Sequence, residues 1–284
     1  MRRLTLKALT MVAIVWLFGV PLFGQPIWLG VDNKSSIAVE ALKPTFKDDL
    51  FNDFTFISSA IFVSGRFSIS ENIMFVGELP IAHAKRKDVK IVDPSTGQTL
   101  FEQSFDAETM IGSPYVGLEL HKAGSNSVFE IGARLPVAQD DKASASEFGV
   151  AADFDRFEAF IPDFTTLTGN LNYQSKNVSN VALRLRGGAS VFFPKDSDTE
   201  VFLDYSGQIG FEGQKISLIG GITGRMIVTE SDLDFGERTV HHLGATAAIN
   251  LGTVSPGVHF RIPIDDQLDN IDYVLGLNLV IHRQ

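Results

Sequence analysis

The sequence predicts an all-β protein, an antiparallel, up-and-down transmembrane β-barrel of about twelve strands. Three observations carry this expectation. Long stretches alternate apolar and polar residues with period two. The connections between those stretches alternate between short and long. The chain has 284 residues, 44% of them hydrophobic, with 25 Gly and no Cys, yet past its amino terminus no apolar run reaches helical membrane-span length.

The first element is a targeting segment. Met1-Arg2-Arg3 and Lys7 give a basic start, Ala8 to Leu22 an apolar run, and Leu22-Phe23-Gly24 a small residue before Gln25. That order is expected for a secretory signal peptide over 1–24, leaving 25–284 as the barrel. No Cys follows the cut, so a lipid anchor is excluded.

From Gln25 onward the strands are expected at 35–44, 54–69, 73–84, 110–121, 126–138, 164–175, 180–194, 200–212, 215–229, 239–250, 255–264 and 271–282. The seventh shows the pattern most clearly. Leu183, Leu185, Gly187, Ala189, Val191 and Phe193 share one face, and Arg184, Arg186, Gly188 and Ser190 share the other. The eighth repeats it with Val201, Leu203, Tyr205, Gly207, Ile209 and Phe211 opposite Asp204, Ser206 and Gln208. The ninth sets Leu218, Gly220, Ile222, Gly224, Met226 and Val228 against Ser217, Thr223 and Arg225. The twelfth sets Tyr273, Leu275, Leu277, Leu279 and Ile281 against Gly276 and Asn278.

Short turns are expected at 70–72, 122–125, 176–179, 213–214 and 251–254; the loops between them include the long 85–109 and 139–163, with a short helix expected within 147–160. A soluble sandwich would not show this alternation, whereas an outer-membrane barrel does. The phrases Glu78-Leu79-Pro80-Ile81, Arg134-Leu135-Pro136-Val137 and Arg261-Ile262-Pro263-Ile264 fall on strands that must run the same way, each before a long-side loop. Pro cannot donate to a ladder, so each is expected near a strand end or bulge.

The charge is unevenly placed. The formal net charge is -10. The long-side loops (45–53, 85–109, 139–158, 195–200, 230–238 and 265–272) together carry -16, and the rest of the mature chain carries +3. An acidic rim can hold divalent cations beside lipopolysaccharide phosphates, bias cations toward the mouth, or simply be solvated. A phosphate-neutralising excess of Lys and Arg is missing, so a nucleic-acid partner is not expected.

If the apolar faces touch lipid, the interior receives the acids Glu40, Glu78, Glu119, Glu130 and Asp204 and the bases Arg66, Arg134, Arg184, Arg186, Arg225 and Arg261. His242 and His259 join them. Enclosed charges must pair or stay wet. Glu40, Arg66 and Glu78 fall at similar heights on the first three strands, which predicts an acid–base–acid ladder. The charged interior supports two readings: a salt-bridged filling that rigidifies the barrel, or a constriction whose transverse field orients solutes.

Catalytic patterns are not found. Gly-x-Ser-x-Gly, His-Glu-x-x-His and a His-x-Ser pair are all absent, and the adjacent His241 and His242 point to opposite faces of a strand, so they cannot chelate one metal together. No cofactor, no metal and no enzymatic activity are expected.

Ser70-Glu71-Asn72-Ile73-Met74-Phe75-Val76-Gly77-Glu78-Leu79-Pro80 and Gly112-Ser113-Pro114-Tyr115-Val116-Gly117-Leu118-Glu119 resemble segments of bacterial outer-membrane barrels related to the phenol-degradation meta-pathway transporter family. The resemblance implies a porin-like or transporter-like barrel of a Gram-negative outer membrane, in contact with lipid and lipopolysaccharide. It also implies insertion by the barrel-assembly machinery. Gly276-x-x-Leu279-x-Ile281 fits the spacing of the assembly signal, although Val274 stands where a polar residue is expected and His282-Arg283-Gln284 replace the terminal aromatic. The functional expectation is a channel or transporter for small solutes through a narrow charge-lined lumen. The alternative is a non-conducting structural or surface-binding barrel with a salt-bridge-filled lumen.

Overall fold

A sheet with one apolar face and one polar face leaves unpaired N–H and C=O groups at each edge, and closure removes both edges. A computed structural model describes residues 35–47, 54–230 and 232–283 and shows that closure. The signal-peptide expectation lies outside the described residues.

Twelve strand positions form the wall: β1 (Ser36–Phe46), β2 (Ser59–Ser70), β3 (Ile73–Ala84), β6 (Glu108–Ile111) continued by β7 (Tyr115–His121), β8 (Ser127–Arg134), β9 (Phe164–Lys176), β10 (Val181–Pro194), β11 (Glu200–Glu212), β12 (Ile216–Ile227), β13 (Thr239–Ile249), β14 (Val254–Pro263) and β15 (Ile271–His282). Each pairs antiparallel with its sequence neighbours, and β1 pairs with β15 from Ser36–His282 to Phe46–Ile271 to close the cylinder. The exterior is apolar around the wall, with Leu118, Ile131, Leu171, Leu185, Ile209, Leu218, Leu243, Val258 and Leu277 all exposed. Among the described residues, no helix is long and apolar enough to cross a membrane.

The structure departs from expectation in three places. The fourth predicted strand is two pieces. β3 pairs with β6 through Ile81–Ile111 and with β7 through Glu78–Tyr115, leaving Gly112-Ser113-Pro114 between them. Pro114 has no N–H to donate, and Pro80 lies opposite the gap, where its carbonyl accepts from Gly112 N at 2.9 Å. Pro263 closes β14, and Pro136 lies just past the end of β8, so that strand stops four residues before the expected 138.

The second departure is at the long-side rim. Loop 85–109 carries its own hairpin, β4 (Val89–Val92) and β5 (Thr99–Gln103), a two-stranded sheet separate from the wall. Strand β2 starts at Ser59 rather than 54, and Phe54 makes only an isolated bridge with Arg86.

The third departure decides the interior. The helix expected within 147–160 is α1 (Ala143–Ala152) followed by a 3₁₀ segment (Phe154–Ala159), and both fold into the barrel instead of crowning it. Ala145, Phe148, Gly149 and Ala152 recur at helical spacing and are all buried. They join Leu42, Phe62, Ala82, Met110, Val240, Leu268, Ile271 and Val274 in an apolar core at the long-loop end. Val274, whose apolar character departs from the assembly signal, is a member of this core and is 3% exposed. Gly149 allows the closest approach, since a Cβ there would meet the Phe160 ring at 2.4 Å.

Candidate functional site: a charged network across the barrel interior

The inserted segment is held at both ends by backbone chemistry. At its start, Glu108 Oε2 accepts from Ser144 N (2.9 Å) and Ala145 N (3.2 Å), so a carboxylate on β6 satisfies the open N–H groups of α1. At its end, Ala159 O accepts from Ser113 N at 2.7 Å, so the gap between β6 and β7 is where the segment docks.

Between these anchors lies Asp153-Phe154-Asp155-Arg156-Phe157-Glu158. Arg156 donates from Nε to Asp153 (2.6 Å), from Nη1 to Glu78 (2.5 Å) and from Nη2 to Glu40, and its guanidinium lies 3.6 Å from the Phe62 ring centroid. Arg134 donates to the other oxygen of Glu78 (2.8 Å) and to Ser113 O (2.8 Å), with its Nε 3.7 Å from Glu158. Arg225 bridges Glu158 (2.8 Å) to Asp204 (2.6 Å), and Ser190 Oγ donates to Asp204 at 2.6 Å. Arg261 donates to Asp153 (2.9 Å) and to Ala152 O (3.2 Å) and lies 3.5 Å from Asp155. Thr223 donates to Asp155 at 2.9 Å. The result is one connected layer of six carboxylates and four guanidiniums, with Glu40 3.4 Å from His259 Nδ1 and Asp155 3.6 Å from His242 Nδ1.

Burial alone pushes the acids of the inserted segment up. For Asp153 the nearby Arg156 and Arg261 outweigh burial and hold it below the ordinary aspartate range. Asp155 is lowered likewise by His242, Arg261 and Thr223, and Glu158 by Arg225 and Arg134. These three acids are therefore ionised at neutral pH.

The eleven residues singled out in the sequence are divided among four groups. Glu40, Glu78, Arg134, Asp204, Arg225 and Arg261 belong to the layer just described. Glu130 accepts from Tyr115 Oη (2.7 Å), with Arg186 3.5 Å away. Arg66 pairs with Glu119, which also lies 3.1 Å from His121 Nε2. Arg184 pairs with Glu212 near the short-turn end.

The Glu40–Arg66–Glu78 ladder does not form. The register sets Arg66 opposite Ser36 and Glu40 opposite Phe62, so Arg66 lies four residues further toward the short turns. Arg156 takes its place between the two acids. The acidic-rim count also changes, because Asp153, Asp155 and Glu158 are buried partners of interior arginines and not rim charges.

These four inserted residues are what sequence reading missed. Their signal was the interleaving of Phe154, Phe157 and Phe160 with charges, a pattern a solvated loop does not need. The layer borders a small cavity of about 50 Å³, partly open to solvent, on the side of β8 to β12. The inward wall also carries uncharged amides, with Asn170 paired across to Glu130 and Asn278 to Glu40. Both amide atoms of Asn170 and Asn278 and the Nδ2 of Asn172 are buried without a protein partner among the described residues.

No family model and no curated protein matches the chain. Solved structures match in fold. An outer-membrane channel from Pseudomonas putida F1 superposes with a TM-score of 0.53 at 12% identity, covering 91% of this chain and 99% of that one. LpxR from Salmonella typhimurium gives 0.50 at 11% identity, covering 87% and 99%. The NanC porin gives 0.50 at 6% identity, covering 87% and 100%. The chain has the fold of these outer-membrane β-barrels.

Proposed function

We propose that this protein is an outer-membrane channel, not an enzyme, passing small solutes through a narrow lumen lined by the interior charges. One observation carries the reading. Buried amide atoms of Asn170, Asn172 and Asn278 have no protein partner among the described residues. Leaving such groups dry costs about 1–3 kcal/mol each, so the interior they face is wet. A lumen built to be filled would have satisfied them or used apolar residues.

In this reading the inserted segment narrows the barrel and does not fill it. Its apolar face packs on β1 to β3, β6, β13 and β15, leaving the polar side of β8 to β12 to carry solute. Glu130, Arg186, Asp204 and Arg225 line that side, so a passing solute meets both signs of charge and is sorted by its dipole or charge. Glu119 with Arg66, and Arg184 with Glu212, sit nearer the short-turn mouth.

A second reading, a closed non-conducting barrel, draws on the apolar contact of α1 at the long-loop end. Planar-bilayer recordings separate the two. The channel reading expects small, steady conductance that rises when residues 143–159 are replaced by a short Gly/Ser linker. A heat-modifiable, folded barrel that neither conducts nor swells liposomes, with or without that segment, refutes it and leaves the closed barrel.

A further inference from the structure

At the long-loop rim, the outer wall of β1 to β3 differs from the rest. Outward-facing residues of β1 include Val39, Ala41 and Lys43, and those of β3 include Leu79, Ile81 and His83, with Lys85 just past its end. Pairing places Ala41, Ile61, Ile81 and Ile111 in one continuous apolar rung. Lys43 stands two residues above that rung, level with Ser59 and His83, and Lys85 stands two residues above His83 on the same face. Lys87 follows, exposed, and lies close enough to Lys43 for the two to repel.

The lysines are placed by local structure. Lys43 Nζ donates to Phe56 O at 2.8 Å and sits 4.4 Å from the centre of that ring. Lys85 N donates to Ser58 Oγ at 3.0 Å, and Thr55 N to Lys85 O at 2.7 Å, which ties the top of β3 to the start of β2. The flanking Arg86 and Asp88 turn away, Arg86 to Glu147 at 2.6 Å and Asp88 to Phe105 N at 3.1 Å. Among the described residues, none of the three lysines meets a carboxylate. Phe56 and Ile57 beside them are 89% and 60% exposed.

We propose that this notch binds the phosphorylated headgroup of a membrane lipid, with Lys43, Lys85 and Lys87 on the phosphate and the acyl chains lying on the Ala41–Ile61–Ile81–Ile111 rung. Among the described residues these like charges hold no carboxylate, and they sit where hydrocarbon ends and headgroups begin. Three like charges at one place favour an anionic headgroup over a neutral one. Phe56 and Ile57 provide the apolar surface that a free anion would not need. The site rests on the bilayer placement in the proposed function and is independent of whether the lumen conducts.

The test uses the full chain purified in a non-ionic detergent, incubated with diphosphoryl lipid A or with phosphatidylcholine, and read by native mass spectrometry for retained lipid. Lipid A should be retained over phosphatidylcholine. Each surface lysine is worth about fivefold in lipid partition, so K43Q/K85Q/K87Q should lower retention between about tenfold and a hundredfold. The control K142Q/K195Q, on other loops, should leave it unchanged. If the triple variant does not fold, the exposed single change K87Q should still lower retention by about fivefold. Equal retention by unmodified protein and by a folded variant overturns the site, as does equal retention of phosphatidylcholine. Displacement by a tenfold excess of inorganic phosphate overturns the lipid assignment in favour of a free anion. A chain that stays soluble without detergent overturns the bilayer placement itself, a different result from any of these.

Discussion

Replacing Arg156 with glutamine removes the inserted segment's own cation, which reaches two wall strands at once. Arg156 is buried and contacts Glu40, Glu78 and Asp153. These acids are not equally dependent on it. Glu78 keeps Arg134, and Asp153 keeps Arg261. Among the described residues, Glu40 keeps only His259, at 3.4 Å. The cost is therefore that of one orphaned buried carboxylate, about 3–5 kcal/mol, and not three times that. Loss of the stacking on Phe62 adds up to about 2 kcal/mol. Urea unfolding of the refolded barrel in detergent, followed by heat-modifiable migration, measures the loss. A double-mutant cycle isolates the pair. E40Q alone should cost less than R156Q, and the double variant less than the sum, with a coupling of about 2 kcal/mol. An R156Q loss below about 1 kcal/mol, the range of an exposed pair, would refute the claim that this layer is desolvated and holds the segment in place. Strict additivity would refute the Glu40 assignment.

Four further outcomes follow from the same geometry. D155N should flatten the acid dependence of stability. Asp153, Asp155 and Glu158 have lowered native values, so their contribution is complete above the ordinary carboxylate range near about 4 and is lost as pH falls through the native values. Urea midpoints that do not change between pH 6 and 2.5 contradict this. G224V should reduce refolding yield and cost about 1–3 kcal/mol, because a Cβ there meets the Tyr205 ring at 2.4 Å and His241 Cδ2 at 2.7 Å where those rings reach across β12 to their 2.5 Å hydrogen bond. E108Q should weaken the docking of α1 by about 1 kcal/mol and raise protease cutting within 139–163 under mild denaturant. N170L together with N278L should leave stability equal or higher while lowering bilayer conductance, since both remove wet amide groups from the lumen wall.

The wall was legible in the sequence because period-two patterning is a local property. Leu183 and Leu185 face outward, and Ser190, beyond Arg184 and Arg186, is buried, as the alternation requires. The strand positions and their antiparallel neighbours followed from the same rule with short turns added. The break at Gly112-Ser113-Pro114 was visible only as a Pro near a strand start. What it serves, docking of Ala159 O, involves a segment 45 positions away. The site was half legible. Alternation assigned Glu40, Glu78, Arg134, Asp204, Arg225 and Arg261 to the interior, but the charges that link them into one layer are on a connection between strands. A loop has no periodicity to reveal its direction.

The sequence by itself determined the barrel, its number of strand positions, its apolar outer surface and which side chains turn inward. Each of these depends on spacing along the chain and on the rule that no edge can remain unpaired in hydrocarbon. The tertiary structure alone decided what those inward charges do. Four arginines from β8, β12, β14 and the inserted segment meet acids that arrive from the wall and from residues 153–158. Pairing across a lumen depends on height and on which connection folds inward, and neither is a property of neighbouring residues. Without the segment these arginines would meet wall acids alone, and with it they are cross-braced into one layer.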